Sequence, residues 1–141
     1  MLFPKKVKFR KWHTGRKNAK KTANRVETRG VSLAFGSYGL KAMAYARVTS
    51  NQLEAARKAA MHNAGKTGKV WIRVFPDHLF TQKPAEVKMG KGKGDLVGFI
   101  TEVKPGRIVF EIDGVEPKVA HEALRKAGTK LPVKTKIISR A

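Results

Sequence analysis

The chain of 141 residues contains no cysteine, which excludes a disulfide scaffold, a thiolate metal site and a cysteine nucleophile. Its longest apolar stretches run only a few residues, as at Val70 to Ile72, far short of a bilayer span. No apolar segment follows the first basic residues, so no secretory signal is expected. Acidic residues are scarce, with 10 Asp+Glu against 31 Lys+Arg and a formal charge of +21. Such self-repulsion disfavours the compact state unless an anion cancels it, and so speaks of partners rather than of fold. Apolar residues still make up 41% of the chain, enough for the core of one domain of ordinary length.

Charge is concentrated at one end. Residues 1–30 hold eleven Lys/Arg and a single acid, Glu27, and read as a basic arm ahead of a domain at 31–141. Phe3, Val7 and Phe9 alternate with cations there, a short strand-like signal. Thr14 to Gly30 reads as irregular chain. In the body, Val31 to Phe35 and Leu40 to Val48 are expected to form a hairpin around Gly36-Ser37-Tyr38-Gly39, with the glycines at positive φ. A capping box, Thr49 with Gln52, opens a helix whose buried stripe is Leu53, Ala56, Ala60 and Ala64, and which Gly65 and Gly68 end. Val70 to Phe75 reads as a strand, with Trp71, Arg73 and Phe75 on one face, packed in the core. Residues 76–95 are expected to form a long functional loop. Leu96 to Val103 and Ile108 to Ile112 are expected to pair around a type II turn at Lys104-Pro105-Gly106-Arg107. A helix starts at Pro117, buries Val119, Ala120, Ala123, Leu124 and Ala127, and stops at Gly128, before a last strand from Val133 to Ile138. The expected fold is α+β: two β-β-α-β halves in one compact domain with antiparallel hairpins, plus the arm.

Enzyme signatures fail on spacing. Gly65-Lys66-Thr67 resembles the end of a phosphate loop, but the leading glycine is replaced by Ala60 and a helix precedes it instead of a strand. His121-Glu122 begins like a zinc-protease motif, yet Arg125 stands where the second histidine belongs, and His13, His62 and His78 have no ligand spacing. Glu111, Asp113 and Glu116 are read as turn and helix-start residues. No catalytic residue, metal or cofactor is expected.

Three features point to nucleic acid. In the arm, Lys5, Lys6, Lys8, Arg10, Lys11, Arg16, Lys17, Lys20 and Lys21 are interleaved with Phe3, Phe9, Trp12 and His13, pairing phosphate neutralisation with rings that stack on bases. In Lys88-Met89-Gly90-Lys91-Gly92-Lys93-Gly94, glycines permit close backbone approach while lysines supply charge, although a flexible linker has the same composition. Lys134 and Lys136 share a face of the last strand, with Arg140 beyond; a wet sheet face explains that pattern equally well.

Longer motifs are more specific. Met1-Leu2-Phe3-Pro4-Lys5-Lys6-Val7-Lys8-Phe9-Arg10-Lys11, Phe35-Gly36-Ser37-Tyr38-Gly39-Leu40, Gln52-Leu53-Glu54-Ala55-Ala56-Arg57, Val70-Trp71-Ile72-Arg73-Val74-Phe75-Pro76-Asp77, Lys88 to Gly94, Lys104 to Arg107 and Leu131 to Lys136 follow one another in the order of a known family. The chain closely resembles the bacterial large-subunit ribosomal proteins conventionally numbered sixteen. The resemblance implies a non-catalytic protein on 23S ribosomal RNA at the base of the central protuberance, beside the aminoacyl-tRNA site, with other large-subunit proteins as neighbours. It implies a monomer within a bacterial-type, cytoplasmic ribosome, an organelle ribosome being the other setting. It assigns Lys5, Lys6, Lys8, Arg10, Lys11 and Arg16 to ribosomal RNA, to which the charge and stacking patterns above add Trp12, Lys134 and Lys136, and it assigns Lys88 to Gly94 to A-site tRNA, with P-site tRNA as a second candidate. Four departures stand out: Lys88 where an arginine is usual, His78-Leu79-Phe80 for a Lys-Pro start, few cations at 59–65, and an insertion-like Asn18 to Arg29. The rival reading from charge alone is a basic architectural DNA-binding protein.

Overall fold

The computed structural model describes residues 2–141. In chain order the elements are α1 (Ala19–Asn24), β1 (Tyr38–Ala42), β2 (Ala46–Thr49), α2 (Ser50–Ala64), β3 (Lys69–Ile72), β4 (His78–Gln82), β5 (Asp95–Val103), β6 (Ile108–Asp113), α3 (Pro117–Thr129) and β7 (Thr135–Ser139). They build two antiparallel sheets, one of four strands ordered β3-β6-β1-β7 and one of three ordered β2-β5-β4.

The α+β class holds, but α1 and β4 are added to the expected elements and the strands do not pair as expected. Leu40 to Val48 is broken at Met43-Ala44-Tyr45, so β1 joins the four-stranded sheet and β2 the three-stranded one. The turn at 104–107 forms as read, with Gly106 at φ +102 and the Arg107 amide donating to Lys104 O at 3.1 Å. It is a corner between sheets, because β5 pairs with β2 and β4 whereas β6 pairs with β1 and β3. Each half therefore gives a strand to both sheets, and β2–β5, β1–β6, β3–β6 and β1–β7 all join one half to the other. Among the described residues the single hairpin is β4–β5. Its first strand lies inside the span expected to be loop, of which residues 76–77 and 83–94 remain irregular.

No hairpin forms around Gly36 to Gly39. Residues 31–35 are not a strand, and neither glycine has a positive φ. Close packing explains them instead: a Cβ on Gly36 would lie 2.6 Å from Ile112 O, and one on Gly39 2.3 Å from Leu33 Cδ2. Residues 31–36 thus cross the outer face of the four-stranded sheet. That cover explains why β6 is buried from Ile108 through Ile112, with helices below it and a peptide strap above.

The helices follow their sequence signals. Thr49 accepts from the Gln52 amide at 3.3 Å while the Gln52 side chain accepts from the Thr49 amide at 2.9 Å. Leu53, Ala56, Ala60 and Ala64 are buried against Ala120, Ala123, Leu124 and Ala127 of α3, and the small side chains let the two helices pack closely over Leu40, Phe110 and Ile112. Val119 is only partly buried. Gly128 does not stop α3, which runs to Thr129; a Cβ there would lie 2.6 Å from Thr135 Oγ1, so the glycine admits β7 beside the helix. Thr49→Ala should cost about 1 kcal/mol, read as a lower midpoint in urea with an unchanged slope.

A candidate nucleic-acid interface

The arm lies along the three-stranded sheet and, among the described residues, forms no strand. Phe3 stacks on Phe99 of β5 with centroids 6.3 Å apart, and Trp12 meets His78 of β4 edge-on at 4.9 Å. Lys17 donates to Glu102 of β5 at 2.8 Å, where Arg47 also approaches at 3.6 Å. Burial raises the Glu102 carboxyl, but these two cations outweigh it and hold the group below its ordinary pKa. Burial lowers the His78 pKa, so the imidazole under Trp12 favours its neutral form.

The expected irregular stretch from 14 to 30 contains a short helix. Asn18 caps α1 by accepting from the Lys20 and Lys21 amides at 3.0 and 3.2 Å. Beyond it, the Glu27 amide donates to Pro105 O and the Arg107 guanidinium to Arg29 O. The insertion-like segment is thereby tied to the corner between the sheets.

Arm and loop meet. Lys11 Nζ donates to Lys93 O at 3.3 Å and lies 3.9 Å from Asp95, while Lys93 Nζ donates to Trp12 O. Lys83 Nζ donates to Gly90 O and braces the loop from its other side. At the tip, Gly90, Lys91 and Gly92 all have positive φ, at +95, +59 and +98. Only glycine takes these angles freely, and Lys91 reaches its own as a single left-handed residue. Met89 is 98% exposed beside them.

Of the ten acids, four glutamates are paired with cations away from the loop. Glu54 pairs with Arg57, Glu122 with Arg125 and Lys126, Glu102 with Lys17 and Arg47, and Glu111 with Arg73. Among the described residues no carboxylate lies within ion-pairing distance of Lys5, Lys6, Lys8, Arg10, Arg16, Lys88, Lys91, Lys134 or Lys136. All nine side chains are exposed. Lys136 stands on β7, the edge strand of the other sheet, opposite Lys41, and Lys134 lies one residue before that strand rather than on it.

Two readings of the acidic and aromatic residues are corrected. Glu111 is not a turn residue: it is fully buried in β6 and accepts from the amides of Ala34, Phe35 and Gly36 at 3.0, 2.6 and 2.6 Å, and from Arg73. Nor are Trp71, Arg73 and Phe75 core residues. Phe75 is exposed, and Trp71 lies on the outer face, stacked on Phe35 at 6.0 Å and 19°. Lys69 lies 5.3 Å from the Trp71 ring and Arg73 5.3 Å from the Phe35 ring. The alternation Lys69-x-Trp71-x-Arg73 could have marked this face. Phe35, from 36 residues earlier, could not have been added from the sequence.

No group of three His, Asp or Glu able to hold a metal ion occurs among the described residues. No helix there is long and apolar enough to cross a membrane. Residues 4–138 match the sequence model of the family described as ribosomal protein L16p/L10e. The large ribosomal subunit protein uL16 of Nitrobacter winogradskyi is 52% identical over 140 residues, covering 99% of this chain and 98% of the relative. Its namesake in Rhodopseudomonas palustris strain BisB18 is 51% identical at the same coverage, and that of Thermosipho africanus is 51% identical over 99% of this chain and 94% of its own length. A match that takes in the arm, both sheets and the loop leaves one conclusion: the chain belongs to the ribosomal protein L16p/L10e family.

Proposed function

We propose that this protein is a non-catalytic structural constituent of the large subunit of a bacterial-type cytoplasmic ribosome, present as a single copy bound to 23S ribosomal RNA and neighbouring ribosomal proteins. Lys5, Lys6, Lys8, Arg10, Lys11 and Arg16 neutralise phosphates and Trp12 contributes a ring. Lys134 and Lys136 hold a second stretch of RNA from the far sheet edge. The Lys88 to Gly94 loop reaches A-site tRNA, with P-site tRNA as a second candidate. The observation that carries this reading is the junction of Lys11, Trp12 and Lys93, which makes arm and loop one cationic surface. A loop braced at both flanks and slender at its tip can pass between phosphates that exclude bulkier chain.

The test is a tagged chain expressed in bacteria beside a Lys91→Ala, Lys93→Ala double variant. Both should sediment with large subunits after a high-salt wash, and the variant should slow translation more than it slows subunit assembly. A wild-type chain absent from those particles overturns the ribosomal assignment. Normal polysomes in the variant overturn the tRNA role of the loop.

A further inference from the structure

The outer face of the four-stranded sheet carries a ladder of four side chains in the order Lys69, Trp71, Phe35, Arg73, distinct from the arm and loop. Phe35 is 57% exposed, unusual for a ring already stacked on another. Its backbone is fixed, because Glu111 accepts from its amide and from those on either side. The rings are therefore held in place, and only the outer cation is mobile: Lys69 is exposed and tethered by a flexible stem. Trp71 lies on β3, an edge strand, so nothing from the sheet flanks it on the outer side. Two carboxylates border the ladder: Glu111, opposite Trp71, is fully buried and paired with Arg73, and Asp113, opposite Lys69, accepts from the Ser37 hydroxyl and the Gly114 amide.

We infer that Phe35 and Trp71 form a stacking platform for an unpaired base of single-stranded RNA, with the Lys69 ammonium occupying the base's place on Trp71 until RNA arrives. This rests on the RNA-binding reading above but adds a site and a ligand class to it. A base has a π-face that matches the ring and a phosphate that attracts the displaced ammonium, so one exchange satisfies both groups. A duplex hides its base faces and should not use the platform. A protein partner would meet the same rings, but the cations at both ends of the ladder, beside carboxylates already hydrogen-bonded within the protein, favour a polyanion.

Trp71 can report on itself, since Trp12 is the only other tryptophan. In a Trp12→Phe background of the full chain, an unstructured 12-nucleotide RNA at low salt should quench the remaining emission, whereas an RNA duplex of equal length should bind with little quenching. Adding Phe35→Ala should weaken the single strand roughly ten-fold and leave duplex affinity within about two-fold. Adding Lys69→Gln should lower the salt slope for the single strand by about one. Circular dichroism checks that both variants fold, and the quenching itself needs no platform substitution. RNA binding with unchanged Trp71 emission and no loss in the Phe35→Ala protein overturns the platform and leaves the arm and loop standing. A chain that binds neither RNA overturns both.

Discussion

Raising salt from 50 to 200 mM should weaken binding of the purified protein to structured ribosomal RNA by roughly 10³–10⁵-fold, if six to ten phosphates are neutralised. Arm and loop supply enough cations for that number. Of the residues assigned to RNA, Lys5, Lys6, Lys8, Arg10, Arg16, Lys88 and Lys91 have no carboxylate partner among the described residues. Each displaces condensed counterions when it meets a phosphate, and the slope of log affinity against log salt counts those contacts. Replacing Lys5, Lys6 and Lys8 together by Ala should flatten the slope by about three. Lys17 should contribute less, because it is already bound to Glu102. A flat salt response for the wild type would contradict the proposed interface. A slope as steep for duplex DNA, with equal affinity, would favour an architectural DNA-binding role.

Glu111→Ala should be the most damaging single substitution, costing about 3–5 kcal/mol. It leaves the half-buried Arg73 guanidinium without its anion and three backbone amides without their acceptor. For a chain of this length the thermal midpoint should fall by about 10–20 °C. Acid should act through the same group. Burial alone would raise the carboxyl, but the three amides and Arg73 outweigh it and hold its folded pKa below the ordinary 4.5. A depressed folded pKa contributes stability that is complete above the unfolded value and is lost as pH falls through the folded one. Wild-type protein should therefore lose stability below about pH 4.5, and Glu111→Gln should lack that part of the loss. A variant that melts within 2 °C of wild type would mean that the strap over β6 is held by other contacts.

Local signals were legible in the sequence and distant ones were not. The Thr49 and Gln52 box, the alanine stripes and the turn at Pro105-Gly106 depend on residues within a few positions of one another, and each forms as its chemistry dictates. Pairing depends on where the chain goes after the turn. A type II turn joins two strands of one sheet or two strands of different sheets with the same four residues, so the corner at 104–107 read as a hairpin. β4 was hidden because His78-Leu79-Phe80 stands among proline, glycine and lysine, and its apolar residues find a partner only in β5. Glu111 looked like a strand-end acid because its partners come from residues 34–36 and from Arg73. The same limit applies at the interface. Composition identified the arm and the glycine-lysine loop separately, but it could not show Lys11 and Trp12 meeting Lys93 across about 80 residues.

The exchange of strands between halves also governs how the molecule can be made. β1, β2, β3 and β4 all take their partners from residue 95 onward. A nascent polypeptide halted at 94 would hold four strands with no ladder to join, and their hydrogen-bonding groups would be open to any passing backbone. Sheet formation must wait for β5 and β6 to emerge, the signature of a high contact order and slow folding. Throughout that delay the basic arm, the first segment synthesised, would be at large among cellular polyanions, so the chain would depend on escort or on rapid completion.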